Sequence, residues 1–188
     1  MNNKIDLRII KTKNTLYNTL ESLMKEKSFE EIKVSDICNK ALINRSTFYS
    51  HYNDKYELLS EYINNLKNNL ESELNKNNNI SNSKEYYLEL IRLLLDHIEE
   101  KKDTYNAIMM TNRNSITMDI VYDVVNREII KQMNYSNEKT RVPSSIISKF
   151  YLGGVINVCI DWLQQNNKYT KEDIINYIDS LIPNDLNN

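Results

Sequence analysis

The segment FEEIKVSDICNKALINRSTFYSHYNDK, residues 29–55, carries the clearest structural signal in the chain. Its apolar spacing predicts two short helices, residues 34–41 and 45–51, joined by the three-residue turn Leu42-Ile43-Asn44. Two short helices joined by so tight a turn form a helix-turn-helix, and the second helix of this motif can enter a DNA major groove. The segment therefore predicts binding to double-stranded DNA.

Several side chains of the second short helix suit contact with DNA. The outward-facing residues are predicted to be Arg45, Ser46, Thr47, Tyr49 and His51, whereas Phe48 faces the core. Arg45 is the best candidate to read guanine, because its guanidinium can bind O6 and N7 together for about 1–3 kcal/mol of discrimination. Lys55 lies in the first turn of the next helix, where a cation opposes the helix dipole, and a phosphate partner would explain it.

The rest of the chain is predicted to be helical. Only 2 Gly and 2 Pro occur among 188 residues, too few for a turn-rich all-β fold. Apolar spacing predicts an all-α protein of about nine helices, in which a long helix joins an N-terminal three-helix domain to a larger C-terminal helical domain. The domains are predicted to be residues 1–58 and 59–188, and the clearest polar connector is at residues 75–83.

Several classes of protein lack support in the sequence. The first residues contain no apolar run of signal-peptide length, and the most apolar stretch, residues 151–163, is too short to span a bilayer. We therefore expect a cytoplasmic protein without a membrane partner. Two cysteines and two histidines, all isolated, predict neither a metal site nor a disulfide. No nucleotide-binding or nucleophile motif occurs, so we expect no cofactor and no enzymatic activity.

Charge is distributed unevenly along the chain, although the formal net charge is only −2. Residues 1–20 contain four cations and one anion, and residues 33–55 contain four cations and two anions. Residues 63–188 contain 14 cations against 17 anions. A small basic face on an otherwise acidic protein favours specific over indiscriminate DNA binding.

The segment also resembles the DNA-binding domain of the TetR family of bacterial transcription regulators. The matching residues are Phe29, Ile32, Ile37, Ala41, Thr47, Phe48, Tyr49, His51, Tyr52 and Lys55. Arg8 and residues 11–13 are similar to the opening helix of the family. Residues 150–156, followed by Trp162 and Leu163, are similar to the branch that contains relatives of the dihydroxyacetone-kinase regulators.

The resemblance implies roles for residues of the N-terminal domain. It implies phosphate contacts from Thr12, Lys33, Tyr49, His51 and Lys55, and base-edge or groove contacts from Arg45, Ser46 and Thr47. Lys33 stands where the family often has threonine, and Leu42 stands where it usually has glycine. A non-glycine residue at positive φ costs about 1 kcal/mol, and we expect the turn to adapt to leucine.

The resemblance also implies a homodimer that binds a palindromic operator, acts most often as a repressor, and responds to a small-molecule or protein effector. The predicted dimer stripe is Ile147, Tyr151, Gly154 and Val158, although the same stripe also fits packing within one chain. The predicted effector-binding residues are Tyr105, Met109, Met118 and Tyr122, which also fit a plain core. The alternative function is a helical ligand- or protein-binding coregulator with weakened DNA binding.

Overall fold

The computed structural model describes residues 7–76, 83–109, 116–135, 142–164 and 168–182. Over these residues the chain forms nine α-helices, one short 3₁₀ helix and no β-strand. The α-helices are α1 (Leu7–Met24), α2 (Val34–Ala41), α3 (Arg45–Tyr49), α4 (Lys55–Leu74), α5 (Ser83–Glu100), α6 (Lys102–Met109), α7 (Ile116–Tyr135), α8 (Ser144–Gln164) and α9 (Lys171–Leu181). The 3₁₀ helix, Phe29–Glu31, precedes α2. The predicted all-α fold is confirmed.

The described residues divide into two compact units. The first unit contains the described residues up to Ile63 together with those of Asp103–Ile120, and the second contains the described residues of Asn64–Lys102 and those from Val121 onward. Helix α4 therefore begins in the first unit and ends in the second. The predicted functional boundary at residues 58 and 59 stays a prediction.

The core of the first unit is built by the segment at residues 29–55 and the helices on either side of it. Its fully buried apolar side chains are Leu16, Leu20, Phe29, Ile32, Ile37, Phe48, Leu58 and Leu59. Burying a side chain of this size contributes about 1.5–3 kcal/mol. Ile9, which continues the apolar spacing of α1, is instead 44% exposed. The core therefore fixes α2 and α3 against α1 and α4.

The first turn of α4 is stabilised by two side chains that precede or enter it. Asp54 Oδ1 accepts hydrogen bonds of 2.8 Å from the amides of Tyr56 and Glu57, as an N-cap residue does. The carboxylate of Glu57 reaches back to the amide of Asn53 at 2.7 Å. Asp54 therefore caps α4, and the reciprocal bond from Glu57 reaches one residue further back than a capping box requires.

In the second unit, ion pairs join α5 to α9. Arg92 pairs with Glu172, Lys171 pairs with Asp96, and Lys84 lies 2.9 Å from Asp179. The N-terminus of α9 carries a capping box, since the Asp173 amide donates to Thr170 Oγ1 at 3.1 Å and the Thr170 amide donates to Asp173 at 2.9 Å.

Helix α8 supplies much of the core of the second unit. Its buried residues are Ser148, Leu152, Ile156, Cys159, Ile160, Trp162 and Leu163. By length and composition alone, Ser144–Gln164 could cross a membrane, which corrects the expectation that the most apolar stretch is too short. The helix extends beyond residues 151–163 because Ser144 to Phe150 continue it without a break. The core helix of a soluble protein can have the same length and composition, and the buried residues of α8 are those of a core helix.

Candidate nucleic-acid interface

The turn between α2 and α3 is closed by two main-chain hydrogen bonds. The Leu42 amide donates to the Asn39 oxygen at 3.3 Å, and the Ile43 amide donates to the Cys38 oxygen at 3.1 Å. This pair of bonds is a Schellman motif, which requires a left-handed residue after the helix. Leu42 takes that conformation, with φ 55° and ψ 41°, and is 92% exposed. We expected the turn to adapt to leucine, and it does not: its hydrogen bonds hold Leu42 in the left-handed conformation.

Helix α3 presents polar side chains around one buried anchor. Phe48 is fully buried, while Arg45 and Ser46 are exposed and Thr47 is half-buried. Tyr49 is 56% exposed, and its ring meets the Phe48 ring edge-on at 5.5 Å between centroids. This arrangement leaves the polar residues at the start of α3 and the ring of Tyr49 accessible to a partner.

His51 lies just outside the helix that the sequence predicts for it. Helix α3 ends at Tyr49, and Ser50 and His51 form a turn in which Ser50 Oγ donates to the Thr47 oxygen at 2.7 Å. His51 is half-buried, and its ring centroid is 6.2 Å from that of Tyr52. It thus remains near the C-terminal end of α3, although not on a helical turn.

Many cations of the first unit already pair with carboxylates. Lys27 lies 2.6 Å from Asp36, Lys40 pairs with Glu26, and the other pairs join Lys13 to Glu61 and Lys25 to Glu21. Within the described part of the chain, Lys11, Lys33 and Arg45 are exposed and form no ion pair. Lys33 and Arg45 are predicted DNA contacts, whereas Lys11 lies in the segment similar to the family's opening helix but has no predicted contact.

Lys55 has partners within its own chain. Its ammonium donates to the main-chain oxygens of Phe29 at 3.0 Å and Glu30 at 2.8 Å. It also lies 4.8 Å from the centroid of the Phe29 ring and 5.1 Å from that of Tyr56. Burial lowers the pKa of Lys55, against the opposing effect of the Glu30 charge. These carbonyls and rings explain a cation at the start of α4, and its phosphate contact stays a prediction.

Thr12 also has a bond within the first unit. It is half-buried, and its hydroxyl donates to the Arg8 oxygen one turn earlier at 2.9 Å. The oxygen of a hydroxyl can still accept a hydrogen bond, but its single proton is already used. A phosphate contact by Thr12 therefore requires the hydroxyl to rotate away from Arg8.

A cluster that sequence inspection missed joins three parts of the first unit. The carboxylate of Glu61 on α4 accepts a 2.5 Å hydrogen bond from the Lys13 ammonium on α1. Its other oxygen accepts a hydrogen bond from the hydroxyl of Tyr52, three residues after α3. Lys13 and Glu61 are 48 residues apart, so no local spacing could have revealed the pair.

The predicted effector-binding residues do not lie in one unit. Tyr105 and Met118 are buried in the first unit, at 6% and 2% exposure, and Tyr122 is half-buried in the second. The side chain of Met109 lies outside the described residues. Tyr105 and Met118 are as buried as ordinary core residues, which fits the plain core that the sequence also allows. The effector site stays a prediction.

The predicted dimer stripe lies beside a more exposed one on α8. Ile147, Tyr151 and Val158 are half-buried, and Gly154 is exposed. The adjacent stripe contains Ile146, 55% exposed, and Phe150, 74% exposed, before it reaches the same Gly154. In the part of the chain that the structure describes, a Cβ added at Gly153 or Gly154 would meet nothing within 4 Å.

Neither cysteine belongs to a metal-type cluster among the described residues. Both Cys38 and Cys159 are free and buried, and burial raises the pKa of Cys159 to about 12. Among the described residues, no three His, Cys, Asp or Glu side chains are grouped as a metal ion would require. A protonated, buried thiol has little nucleophilic character.

A helix-turn-helix with one buried anchor, Phe48, and polar residues exposed on its second helix is the architecture of a DNA-binding protein. Comparison with known proteins identifies the family. Residues 16–62 match the family model "Bacterial regulatory proteins, tetR family", and residues 85–184 match "Transcriptional regulator C-terminal region". The chain belongs to the TetR family of transcriptional regulators, as the resemblance predicted.

Individual relatives agree with this assignment. An uncharacterised helix-turn-helix regulator of Bacillus subtilis (strain 168), YxbF, is 39% identical over 61 residues, which is 32% of this chain and 16% of that protein. The dhaKLM operon transcriptional activator DhaS of Lactococcus lactis subsp. lactis (strain IL1403) is 31% identical over 106 residues, 55% of this chain and 51% of the relative. The matches thus span at most about half the length of these curated relatives.

A crystal structure gives a match over nearly the whole chain. It is that of a TetR transcriptional regulator from Streptococcus agalactiae 2603V, with 26% identity and a TM-score of 0.66. The match covers 94% of this chain and 96% of the other. It agrees with the family assignment, and the similarity to DhaS supports the predicted branch of the family.

Proposed function

We propose that the chain is a homodimeric regulator that binds a palindromic operator in double-stranded DNA and represses transcription until an effector releases it. The observation that carries the proposal is the arrangement of α3, whose polar start is exposed while Phe48 is buried. In this assignment Arg45, Ser46 and Thr47 contact base edges, and Thr12, Lys33, Tyr49, His51 and Lys55 contact phosphates. Lys33 and Arg45 have the strongest support, because both are exposed and form no ion pair with a described carboxylate.

We assign one set of functions to each of the two predicted domains. Residues 1–58 bind DNA, and residues 59–188 bind the effector and dimerise. The family places such regulators at the DNA that they control, which supports a cytoplasmic location. The exposed apolar side chains of α8 support dimerisation, since Ile146 and Phe150 lie one helical turn apart and are 55% and 74% exposed, and contiguous exposed apolar patches mark interaction sites.

A second mode of action is activation, and one comparison favours it. The Lactococcus relative DhaS is named as an activator of its operon. Repression and activation use the same DNA-binding residues, so the described residues of α3 are compatible with either. A reporter gene fused to the regulated promoter distinguishes them, because deletion of a repressor raises expression and deletion of an activator lowers it.

Selection from randomised duplex DNA with the purified full chain tests the proposal. We expect recovery of a palindrome, whose two halves reflect the two-fold symmetry of a dimer. The Arg45→Ala variant serves as the matched control and should enrich this palindrome less. Absence of enrichment by the wild-type protein at low salt would refute the proposal and favour the coregulator with weakened DNA binding.

A further inference from the structure

Two helices of the first unit and the segment that follows α3 meet at one carboxylate. Glu61 on α4 receives the ammonium of Lys13 from α1 at 2.5 Å and the hydroxyl of Tyr52 from the turn after α3. The Lys13 ammonium also lies 5.8 Å from the centroid of the Tyr52 ring. All three residues lie in the first unit, so the cluster is one structural element. We refer to Lys13, Tyr52 and Glu61 as the Glu61 cluster.

The Glu61 cluster is partly shielded from water. The side chains of Lys13 and Glu61 are 32% and 35% exposed, and Tyr52 is 3% exposed. Partial burial alone would raise the pKa of Glu61, but the hydrogen bonds from Lys13 and Tyr52 outweigh it and hold that pKa below its ordinary value. Glu61 is therefore ionised at neutral pH, and hydrogen bonds to a charged acceptor are stronger than those between neutral groups.

Tyr52 links the Glu61 cluster to the helix that carries the proposed base contacts. Its amide donates to the Phe48 oxygen at 3.0 Å, and its ring centroid is 5.8 Å from that of Phe48. Phe48 is the fully buried anchor of α3. A helix of only five residues, Arg45–Tyr49, cannot set its own orientation, because so short a helix is stable only through its tertiary contacts.

We infer that Glu61 is a positioning residue for DNA readout: it holds the C-terminal end of α3 against α4 and thereby sets the angle at which Arg45, Ser46 and Thr47 meet base edges. This inference rests on the proposed DNA-binding function and deepens it. Base contacts depend on angle and distance, whereas phosphate contacts through long side chains tolerate displacement. Loss of the Glu61 cluster should therefore reduce specific binding more than non-specific binding.

The same α1–α4 interface offers a matched control. The hydroxyl of Tyr62 on α4 donates to Glu21 on α1 at 3.3 Å, and the Tyr62 ring meets that of Tyr17 at 6.1 Å between centroids. Tyr62→Phe thus removes a tyrosine–glutamate hydrogen bond without touching the end of α3. Tyr52→Phe removes the corresponding bond inside the Glu61 cluster.

The experiment measures affinity for the selected operator and for an unrelated duplex by fluorescence anisotropy, together with the urea midpoint of each full-length variant. Tyr52→Phe and Glu61→Gln should each weaken operator binding about tenfold, and the unrelated duplex much less. Because both substitutions act on the hydrogen bond between Tyr52 and Glu61, the double variant should lose less than the sum of the two single variants. Tyr62→Phe should keep the wild-type ratio of the two affinities.

The inference is overturned if Tyr52→Phe and Glu61→Gln both keep the wild-type ratio of operator affinity to affinity for the unrelated duplex. It is also overturned if Tyr62→Phe lowers this ratio as much as they do. If Tyr52→Phe or Glu61→Gln does not fold, Lys13→Gln gives the same readout from the partly exposed end of the cluster. A wild-type protein without any operator preference would refute the proposed function, and the inference with it. A preference that survives loss of the cluster would refute the inference alone.

Discussion

The amide of Ile43 donates a 3.1 Å hydrogen bond to the main-chain oxygen of Cys38, which fixes the intervening Leu42 in the left-handed region. Leu42 is the only non-glycine residue with positive φ in the described chain. Left-handed backbone costs a residue with a Cβ about 1–2 kcal/mol. The turn therefore retains a strain that a glycine would remove.

Leu42→Gly should raise the free energy of unfolding by about 0.5–1 kcal/mol, after the greater flexibility of glycine in the unfolded chain is subtracted. No packing is lost, because Leu42 is 92% exposed. Urea denaturation measures the change. The control is Asn39→Gly, a substitution in the right-handed part of α2 that should destabilise the domain. A lower free energy of unfolding for Leu42→Gly would contradict the claim that the left-handed backbone strains Leu42.

Substitutions of Arg45 and Tyr49 should separate base reading from phosphate binding. Arg45→Ala should weaken operator binding and relax base preference, with a loss of about 1–3 kcal/mol of discrimination at the contacted base pair. Tyr49→Ala should weaken binding to all sequences alike. Gel-shift titrations with the operator and its single-base variants test both. Unchanged operator affinity of Tyr49→Ala would refute its role.

Lys33 and Lys55 form a second informative pair, because one is exposed and the other donates to main-chain oxygens. Lys55→Met should lower the free energy of unfolding by about 1–2 kcal/mol, since the carbonyls of Phe29 and Glu30 lose a charged donor. Lys33→Gln should change the free energy of unfolding by less than about 0.5 kcal/mol. It should also make the slope of log affinity against log salt concentration shallower by about one. Urea midpoints and salt titrations measure both, and equal stability of the two variants would contradict the contacts of Lys55.

The contrast between Lys33 and Lys55 shows what the sequence could reveal. Local signals were sufficient for the helices, because apolar spacing and the caps at Asp54 and Thr170 depend on residues within a few positions of one another. The partners of Lys55 lie 25 and 26 residues earlier in the chain, and a main-chain oxygen has no sequence signature. Ile9 illustrates a different limit, since periodicity identifies the apolar side of a helix but not how far neighbouring elements cover it.

Stability should depend on pH through carboxylates of the first unit. Hydrogen bonds from Lys27 and from the Lys33 amide lower the pKa of Asp36, and the pKa of Glu61 is also lowered. A carboxyl group with a lower pKa in the folded state contributes stability that is present above its unfolded pKa and is lost as pH falls through the folded value. The free energy of unfolding should therefore be nearly constant between about pH 7 and pH 5 and decline below about pH 4.

Urea midpoints across this range test the pH dependence. Asp36→Asn should flatten the acidic decline, because its side chain no longer titrates. Glu26→Gln is a suitable control, since the pairing of Glu26 with Lys40 is on the surface and surface pairs contribute little. An acidic decline that Asp36→Asn leaves unchanged would show that other carboxyl groups cause it.

The exposed stripe of α8 provides a test of the proposed homodimer. In a two-fold symmetric interface each substitution acts twice. Phe150→Asp should therefore raise the dimer dissociation constant at least about tenfold, as measured by sedimentation equilibrium. Leu42→Asp is the control, because it introduces the same charge at an exposed apolar residue far from α8 in sequence. A wild-type monomer, or a Phe150→Asp variant that dimerises normally, would refute this interface.

Gly154 allows a sharper test, because the single chain and the proposed dimer predict opposite effects for one methyl group. Within the described chain an added Cβ meets open space, so Gly154→Ala should stabilise the helix by up to about 1 kcal/mol. If a partner helix approaches Gly154 closely, the same methyl group weakens the dimer. Urea midpoints at low protein concentration should then rise while dimer affinity falls, whereas a rise in both would mean that no close helix approach occurs at Gly154.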